Sequence, residues 1–192
     1  MPNVILTLIC HGATRAVRVA SFPEDEPLDP AGLAAADALA GSIRRADTAL
    51  TSPALRARQT AEALKLGAAT DAGLRDLDYG NWSGRSLADV AAADAAGAAA
   101  WMADTSSAPH GGETVDAMLI RMAAWLEAAG KMDGRVVAVT HASVIRAAVV
   151  TALDAKPISF WRIDVAPLCR VRLRHGPGGW TLVSIGGSGC AQ

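Results

Sequence analysis

Val4-Ile5-Leu6-Thr7-Leu8-Ile9, running straight into Cys10-His11-Gly12, is the stretch whose reading decides the fold. Its first six residues are almost continuously apolar and rich in strand-forming side chains, the pattern of a strand buried on both faces of a parallel sheet. A second such run, Arg135 to Thr140, leads at once into His141 and a helix from Ser143 to Leu153. Between these strands, Asp29-Pro30 opens a segment through Arg45 with Leu33, Ala36, Leu39, Ala40 and Ile43 at helical spacing. Asp29 is placed to cap that helix, with Pro30 in its first turn. Thr48 to Thr51 reads as a short strand, and Ser52-Pro53 repeats the cap-then-proline signal for a helix to about Leu66.

Further along, Leu74 to Gly84 is rich in glycine and aspartate and reads as a loop, with an alanine-heavy helical segment from Arg85 to Ala108. Glu113 to Ala129 carries a helical stripe of Val115, Met118, Leu119, Met122, Trp125 and Leu126. Cys169 to Leu173 and Trp180 to Ile185 read as a hairpin across Gly176-Pro177-Gly178-Gly179. Strands alternating with helices predict a three-layer α/β fold, a mostly parallel central sheet with helices on both faces. Residues 1–192 make one domain, with a small lid-like segment at about 85–110.

At 192 residues, 51% hydrophobic and 19% charged, the chain has the make-up of a compact domain with a real core. A formal net charge of −1 gives no global reason to expect nucleic acid or an anionic membrane as partner. The N-terminal apolar run is too short to span a bilayer, and no basic segment precedes it, so neither a signal peptide nor a membrane anchor is expected. Cys10, Cys169 and Cys190 are odd in number and widely spaced, which suggests neither a disulfide framework nor a zinc site. A reducing cytoplasm is the expected setting.

Ligands of such sheets bind outside the carboxyl ends of the strands. Three reactive segments fall at such ends: Cys10-His11-Gly12, Thr51-Ser52-Pro53 and Thr140-His141-Ala142. His11, His141 and Arg56, one turn into the helix after Ser52, would therefore face one crevice. These residues also carry a resemblance. Leu8 to Thr14 resembles the opening strand and RHGxT turn of the histidine phosphatase (phosphoglycerate-mutase-like) superfamily. Thr51 to Ala61 is similar to its SSPLxRAxQTA helix start, and Leu74 to Gly84 to LxExxxGxWEG with Asp76 in place of Glu. Gly111-Gly112-Glu113-Thr114 resembles GGES, and Val136 to Arg146 resembles VxVVSHGGxIR. The matches keep the family's order across about residues 4–150.

The resemblance implies a phosphoglycerate-mutase-like fold and a metal-independent phosphomonoesterase acting through a phosphohistidine on a small phosphorylated metabolite, with no cofactor. Its catalytic residues would be His11, Arg56, Asp76 and His141, with Gly12, Thr14, Arg56, His141 and Ala142 around the phosphate. The chemistry fits the residue types. A neutral imidazole can attack phosphorus, a guanidinium fork holds two phosphate oxygens, a donating histidine stabilises the charge, and a carboxyl group can protonate the leaving alkoxide. Asp78 is a rival for the last role. Glu113 reads as a first-turn acid favoured at a helix N-terminus, and His110 as a loop residue. Trp82 and Trp101 are candidates to line a substrate pocket.

Three positions depart from the family pattern. Cys10 stands where it has its first phosphate-binding Arg, Val17 where Asn is common, and Ala13 where Glu or Gln is usual. Losing one charge-assisted contact costs about 1.5–3 kcal/mol, roughly ten- to a hundredfold in transition-state binding. Arg15, Arg18 and Arg121 are candidates to restore the charge. The alternative reading is a catalytically impaired member serving as an anion-binding or interaction module; a homodimer is left open. Arg174-His175-Gly176 matches the family's tripeptide literally, yet it leads into a Gly-rich hairpin and is read as coincidence.

Overall fold

The computed structural model describes residues 4–186. In chain order the strands are β1 (Val4–Cys10), β2 (Thr48–Thr51), β3 (Ala69–Thr70), β4 (Arg135–Thr140), β5 (Arg170–Gly176) and β6 (Gly179–Gly186). The helices are α1 (Arg15–Arg18), α2 (Pro30–Ala38), α3 (Leu55–Ala63), α4 (Leu87–Ala93), α5 (Ala95–Ala103), α6 (Val115–Ala129) and α7 (Ala142–Ala152). The strands form one sheet in the order β3-β2-β4-β1-β5-β6. β1 to β4 run parallel to one another, and β5 lies antiparallel to both β1 and β6. This is the expected mixed but mostly parallel sheet of the phosphoglycerate-mutase-like fold.

The alternation of β1 decides the layers. Val4, Leu6, Leu8 and Cys10 point into the larger core, against Met118, Met122 and Leu126 of α6 and Val144 and Ala148 of α7. Ile9 points the other way and packs with Val137, Val139 and Ala57, Ala61 and Leu64 of the α3 region. α2 leans on α3 through Ala36 and Ala63. Asp29 caps α2 as its sequence predicts, accepting the Gly32 N–H at 2.6 Å, with Pro30 in the first turn.

The structure corrects several boundaries. The helix expected through Arg45 stops at Ala38, and Gly41 follows with φ of +78°, a left-handed conformation that favours glycine and ends the helix. Ile43 still reaches the core beside Ile9, but from an irregular segment. The helical stretch expected from Arg85 to Ala108 is two helices. Asp94 breaks them, and its side chain accepts the Gly97 N–H at 2.8 Å to start α5 anew. The helix after Ser52-Pro53 starts at Leu55, and the hydroxyl of Ser52 is used by the site rather than as a cap. Three-residue 3-10 turns at Ala72–Leu74 and Gly80–Trp82 punctuate the expected loop. The hairpin strands are longer than predicted, turning across Pro177-Gly178. Among the described residues no helix is long and apolar enough to cross a membrane. Cys190 lies outside the described residues.

Candidate active site

His11 is the first residue past β1, and its N–H donates to the Thr140 carbonyl at 2.8 Å, tying the end of β1 to the end of β4. Its Nδ1 lies 2.7 Å from the Gly12 carbonyl oxygen, which assigns the proton to Nδ1 and leaves Nε2 unprotonated, an acceptor for the Arg56 Nε–H. Burial pushes the His11 pKa down to about 3, and the nearby His141 and Arg56 push the same way. The ring is therefore neutral at physiological pH. Gly12 is held for a different reason than a sharp turn: an added Cβ would meet the Gly32 carbonyl at 3.0 Å. Its N–H is committed to the Thr60 hydroxyl at 3.0 Å.

Arg56 lies in the first turn of α3 and is only 3% exposed. Its Nε points at His11 Nε2 at 3.3 Å, Nη1 donates to the Glu24 carbonyl at 2.6 Å, and Nη2 donates to Asp76 Oδ2 at 2.8 Å. Asp76 also lies 3.2 Å from His141 Nδ1 through the same oxygen, while Oδ1 accepts from the Ser143 hydroxyl and from the Leu77 N–H. Burial would raise the Asp76 carboxyl, but His141, Arg56 and Ser143 outweigh it and hold it far below the usual carboxylate range. His141 precedes α7, and its Nε2 meets the Ser52 hydroxyl at 2.7 Å. The His11 and His141 rings meet edge to face with centroids 5.2 Å apart.

All four residues expected from sequence thus form one contact network, and it opens on two sides. A cavity of about 390 Å³ is lined by Cys10, His11, Ala142 and Arg146, with Phe22 and Trp101 among its apolar walls. On the other side of Arg56 a second cavity, also about 390 Å³, is lined by Ser52, Arg56, Asp76 and Asp78. Burial, reinforced by Asp76, pushes the Cys10 thiol far above its ordinary pKa, so no thiolate stands there to repel an anion. Among the described residues no three of His, Cys, Asp and Glu converge as a metal site requires.

A family model for the histidine phosphatase superfamily (branch 1) matches residues 6–187. The chain belongs to that superfamily. A bifunctional protein of Mycobacterium tuberculosis is 31% identical over 176 residues, covering 85% of this chain and 48% of that protein. The chain therefore spans about half the length of the curated relatives it matches. A mycobacterial glucosyl-3-phosphoglycerate phosphatase, solved with VO3, is 26% identical with a TM-score of 0.83, over 96% of this chain and 99% of that one. A phosphoserine phosphatase from Entamoeba histolytica superposes with a TM-score of 0.86 over 95% of this chain and 96% of that one. At 20% identity, that likeness shows the fold alone.

The resemblance puts Cys10 where the family has an arginine, with Arg15, Arg18 and Arg121 expected to restore that charge. Arg18 pairs with Asp29 at the surface, and Arg121 is engaged by both oxygens of Glu113 and the Gly73 carbonyl. Arg15 lines a different cavity, beside Glu24 and Glu26. None of the three candidates faces His11. Arg146 lines the same cavity as His11 and Cys10, and sequence reasoning missed it. Its Nε donates to the Ile163 carbonyl at 2.8 Å, and its terminal nitrogens make no hydrogen bond to the described residues. The signal was available: Arg146 sits one turn after Ala142, and helical side chains lean back toward the N-terminus, here toward the strand ends. Ser143, two residues after His141, was missed as well.

The remaining candidates spread out. Ala142 lines the cavity at the start of α7, where amide groups lack intrahelical partners. Thr14 is fully buried and spends its hydroxyl capping α1. Trp101 lines the cavity, whereas Trp82 packs behind it, with ring centroids 5.4 Å apart. His110 lies in a turn but is fully buried, its Nδ1 accepting the Gly112 N–H at 3.0 Å. Glu113 precedes the Thr114 cap of α6 and serves Arg121. His175 lies at the opposite end of the sheet, paired with Val4.

Proposed function

We propose that this histidine phosphatase hydrolyses small phosphomonoesters without a metal ion, through a phosphohistidine on His11. The observation that carries the reading is the state of that ring, neutral, pinned at Nδ1 and presenting Nε2 to the Arg56 guanidinium. Nε2 attacks phosphorus, the phosphorus–oxygen bond to the alcohol breaks, and the alcohol leaves with a proton from Asp76. Water then attacks the phosphohistidine and gives its proton to Asp76, releasing phosphate and the free imidazole. Arg56 and Arg146 supply the positive charge on the phosphoryl oxygens and His141 a hydrogen bond, and Arg146 replaces the cation that Cys10 lacks. That a similar solved protein, 26% identical, is named a phosphatase supports the reading.

Asp76 is ionised in the free protein, so its acid role needs a cause. An arriving phosphate dianion draws Arg56 and His141 toward itself and repels the carboxylate. Both effects raise the proton affinity of Asp76, so the acid forms when substrate is bound. The apolar walls beside His11, Phe22 and Trp101 among them, suit an alcohol with an apolar portion. A second reading, an anion-binding module without turnover, is favoured by one observation, Cys10 at a phosphate-binding position. The deciding experiment assays EDTA-treated protein on a panel of alkyl and aryl phosphomonoesters and traps the enzyme by denaturation during turnover. Hydrolysis should survive chelation, and the trapped protein should carry acid-labile phosphate. Activity that disappears with chelator, or a folded protein inert across the panel, would overturn the phosphatase reading.

A further inference from the structure

Arg170, Arg172 and Arg174 alternate along β5, so all three point to one face of the sheet while Val171 and Leu173 are buried on the other. That face is the one turned away from α6 and α7, and there Arg172 pairs across β1 with Thr7 and Arg170 with Ile9. Because α2 ends at Ala38, no helix roofs this part of the sheet, and Ile5 and Thr7 on its central strand are only partly buried. A cavity of about 370 Å³ opens above them, walled by Arg44, Arg135, Arg170 and Arg172 together with Ser42. Among the described residues no Asp or Glu lines it.

Most arginines among the described residues have no ion pair, but here four of them line one cavity. Arg18, Arg56, Arg75 and Arg121 each have a carboxylate within ion-pair distance. The four cavity arginines have none among the described residues. Arg170 is held in place by donating from Nη2 to the Ser42 hydroxyl at 2.7 Å, yet its Nε is buried with no acceptor. Burial lowers its pKa, a sign of a cation removed from water without a counter-ion. Four guanidinium groups converging without a carboxylate repel one another, and an unpaired buried donor is costly. An anion would relieve both.

We propose that this cavity is a second anion site, separate from the His11 pocket, which takes a small oligoanion carrying two or more linked phosphoryl groups. Alternate residues of a strand stand about 6.8 Å apart, so a single phosphate cannot engage all four arginines, whereas a short phosphoanhydride chain spans them. Among the described residues no aromatic side chain lines the cavity, so they offer phosphate contacts without a surface on which to stack a base. The site is independent of turnover at His11, and its failure would leave the phosphatase reading untouched.

Calorimetric titration of the full chain with inorganic tripolyphosphate, pyrophosphate and orthophosphate tests it, with and without vanadate to occupy the His11 pocket. Tripolyphosphate should bind saturably in the presence of vanadate, at least about tenfold tighter than orthophosphate, and should weaken steeply with added salt. Arg44→Gln and Arg135→Gln, both exposed positions, should each weaken it roughly tenfold or more while phosphomonoester hydrolysis and the melting temperature stay unchanged. Arg172→Gln supplies a third, independent substitution on the strand. Binding that vanadate abolishes, that ignores all three arginine substitutions, or that is no tighter than for orthophosphate would overturn the proposal, as would no saturable binding.

Discussion

Cys10-His11-Gly12 and Arg174-His175-Gly176 sit on neighbouring antiparallel strands, β1 and β5, at opposite ends of the same sheet. The first lacks the family's arginine, and the second has it. Yet His11 stands at a carboxyl strand end, between the starts of α3 and α7, where Arg56 reaches its Nε2 and His141 meets its ring. His175 packs on Trp180 with ring centroids 4.9 Å apart, over Gly130, where a Cβ would lie 3.1 Å from the ring. Among the described residues no carboxylate or guanidinium is hydrogen-bonded to it. A tripeptide acquires chemistry from the strand end it occupies and the helices that open there, more than from its letters.

The largest expected effect breaks or makes this comparison. His11→Ala should lower kcat for phosphomonoesters by about a thousandfold or more, whereas His175→Ala should leave kcat/KM within about twofold. Steady-state kinetics on the two folded variants decide it, and the reverse result would move the site to the other end of the sheet.

The next effect asks how the missing arginine is replaced. Arg146→Gln should lower kcat/KM roughly ten- to a hundredfold. Cys10→Arg should change the parent enzyme little, since the charge is already supplied, but should recover most of the loss in the Arg146→Gln background. A large gain from Cys10→Arg alone would show that Arg146 does not serve the phosphate.

A third effect concerns acid. His11 has a folded pKa of about 3, below its unfolded value, so between these values the unfolded chain binds the extra proton. Stability is then fully present above about pH 6.5 and falls with pH by up to ~1.4 kcal/mol per unit toward pH 3. Burial lowers the His110 pKa too and adds in the same direction. Denaturant unfolding at pH 7 and pH 5 should show the loss, and His11→Asn should flatten it. A slope unchanged in that variant would mean that His11 is protonated in the folded protein.

The smallest effect lies at the other tripeptide. His175→Ala should cost about 1 kcal/mol of stability, the scale of a lost aromatic pair, read as a shift in denaturant midpoint. A loss several times larger would give His175 a structural weight that its packing does not explain.

The site's skeleton was legible because it rests on burial. A strand covered on both faces must be continuously apolar, and the residue that follows it must lie at a strand end, so His11 and His141 could be placed from sequence. Arg56 followed from the helix expected after Ser52-Pro53, which starts at Leu55. What could not be read was decided by side chains far apart in the chain. Nothing around Asp76 announces that Arg56, His141 and Ser143 will keep it ionised. Arg146 is one arginine on a helix until Phe22 and Trp101 close a cavity above it. The end of α2 turned on Gly41, whose left-handed backbone outweighed the apolar spacing of Leu39, Ala40 and Ile43. Likewise Asp94 began a helix inside an alanine-rich run whose pattern suggested no break.

The pairing of β1 also sets an order of assembly. Ile5 stands beside Arg135 and Val4 beside His175, so the strand that leads into His11 waits for partners made much later. A growing chain can close α2 on α3 early, but those contacts leave both edges of β1 unpaired. Until β4 arrives, the His11 amide has no Thr140 carbonyl to hold it, and until β5 arrives a long apolar edge is open to wrong partners. Formation of this site is therefore expected late in folding, once both β4 and β5 are present.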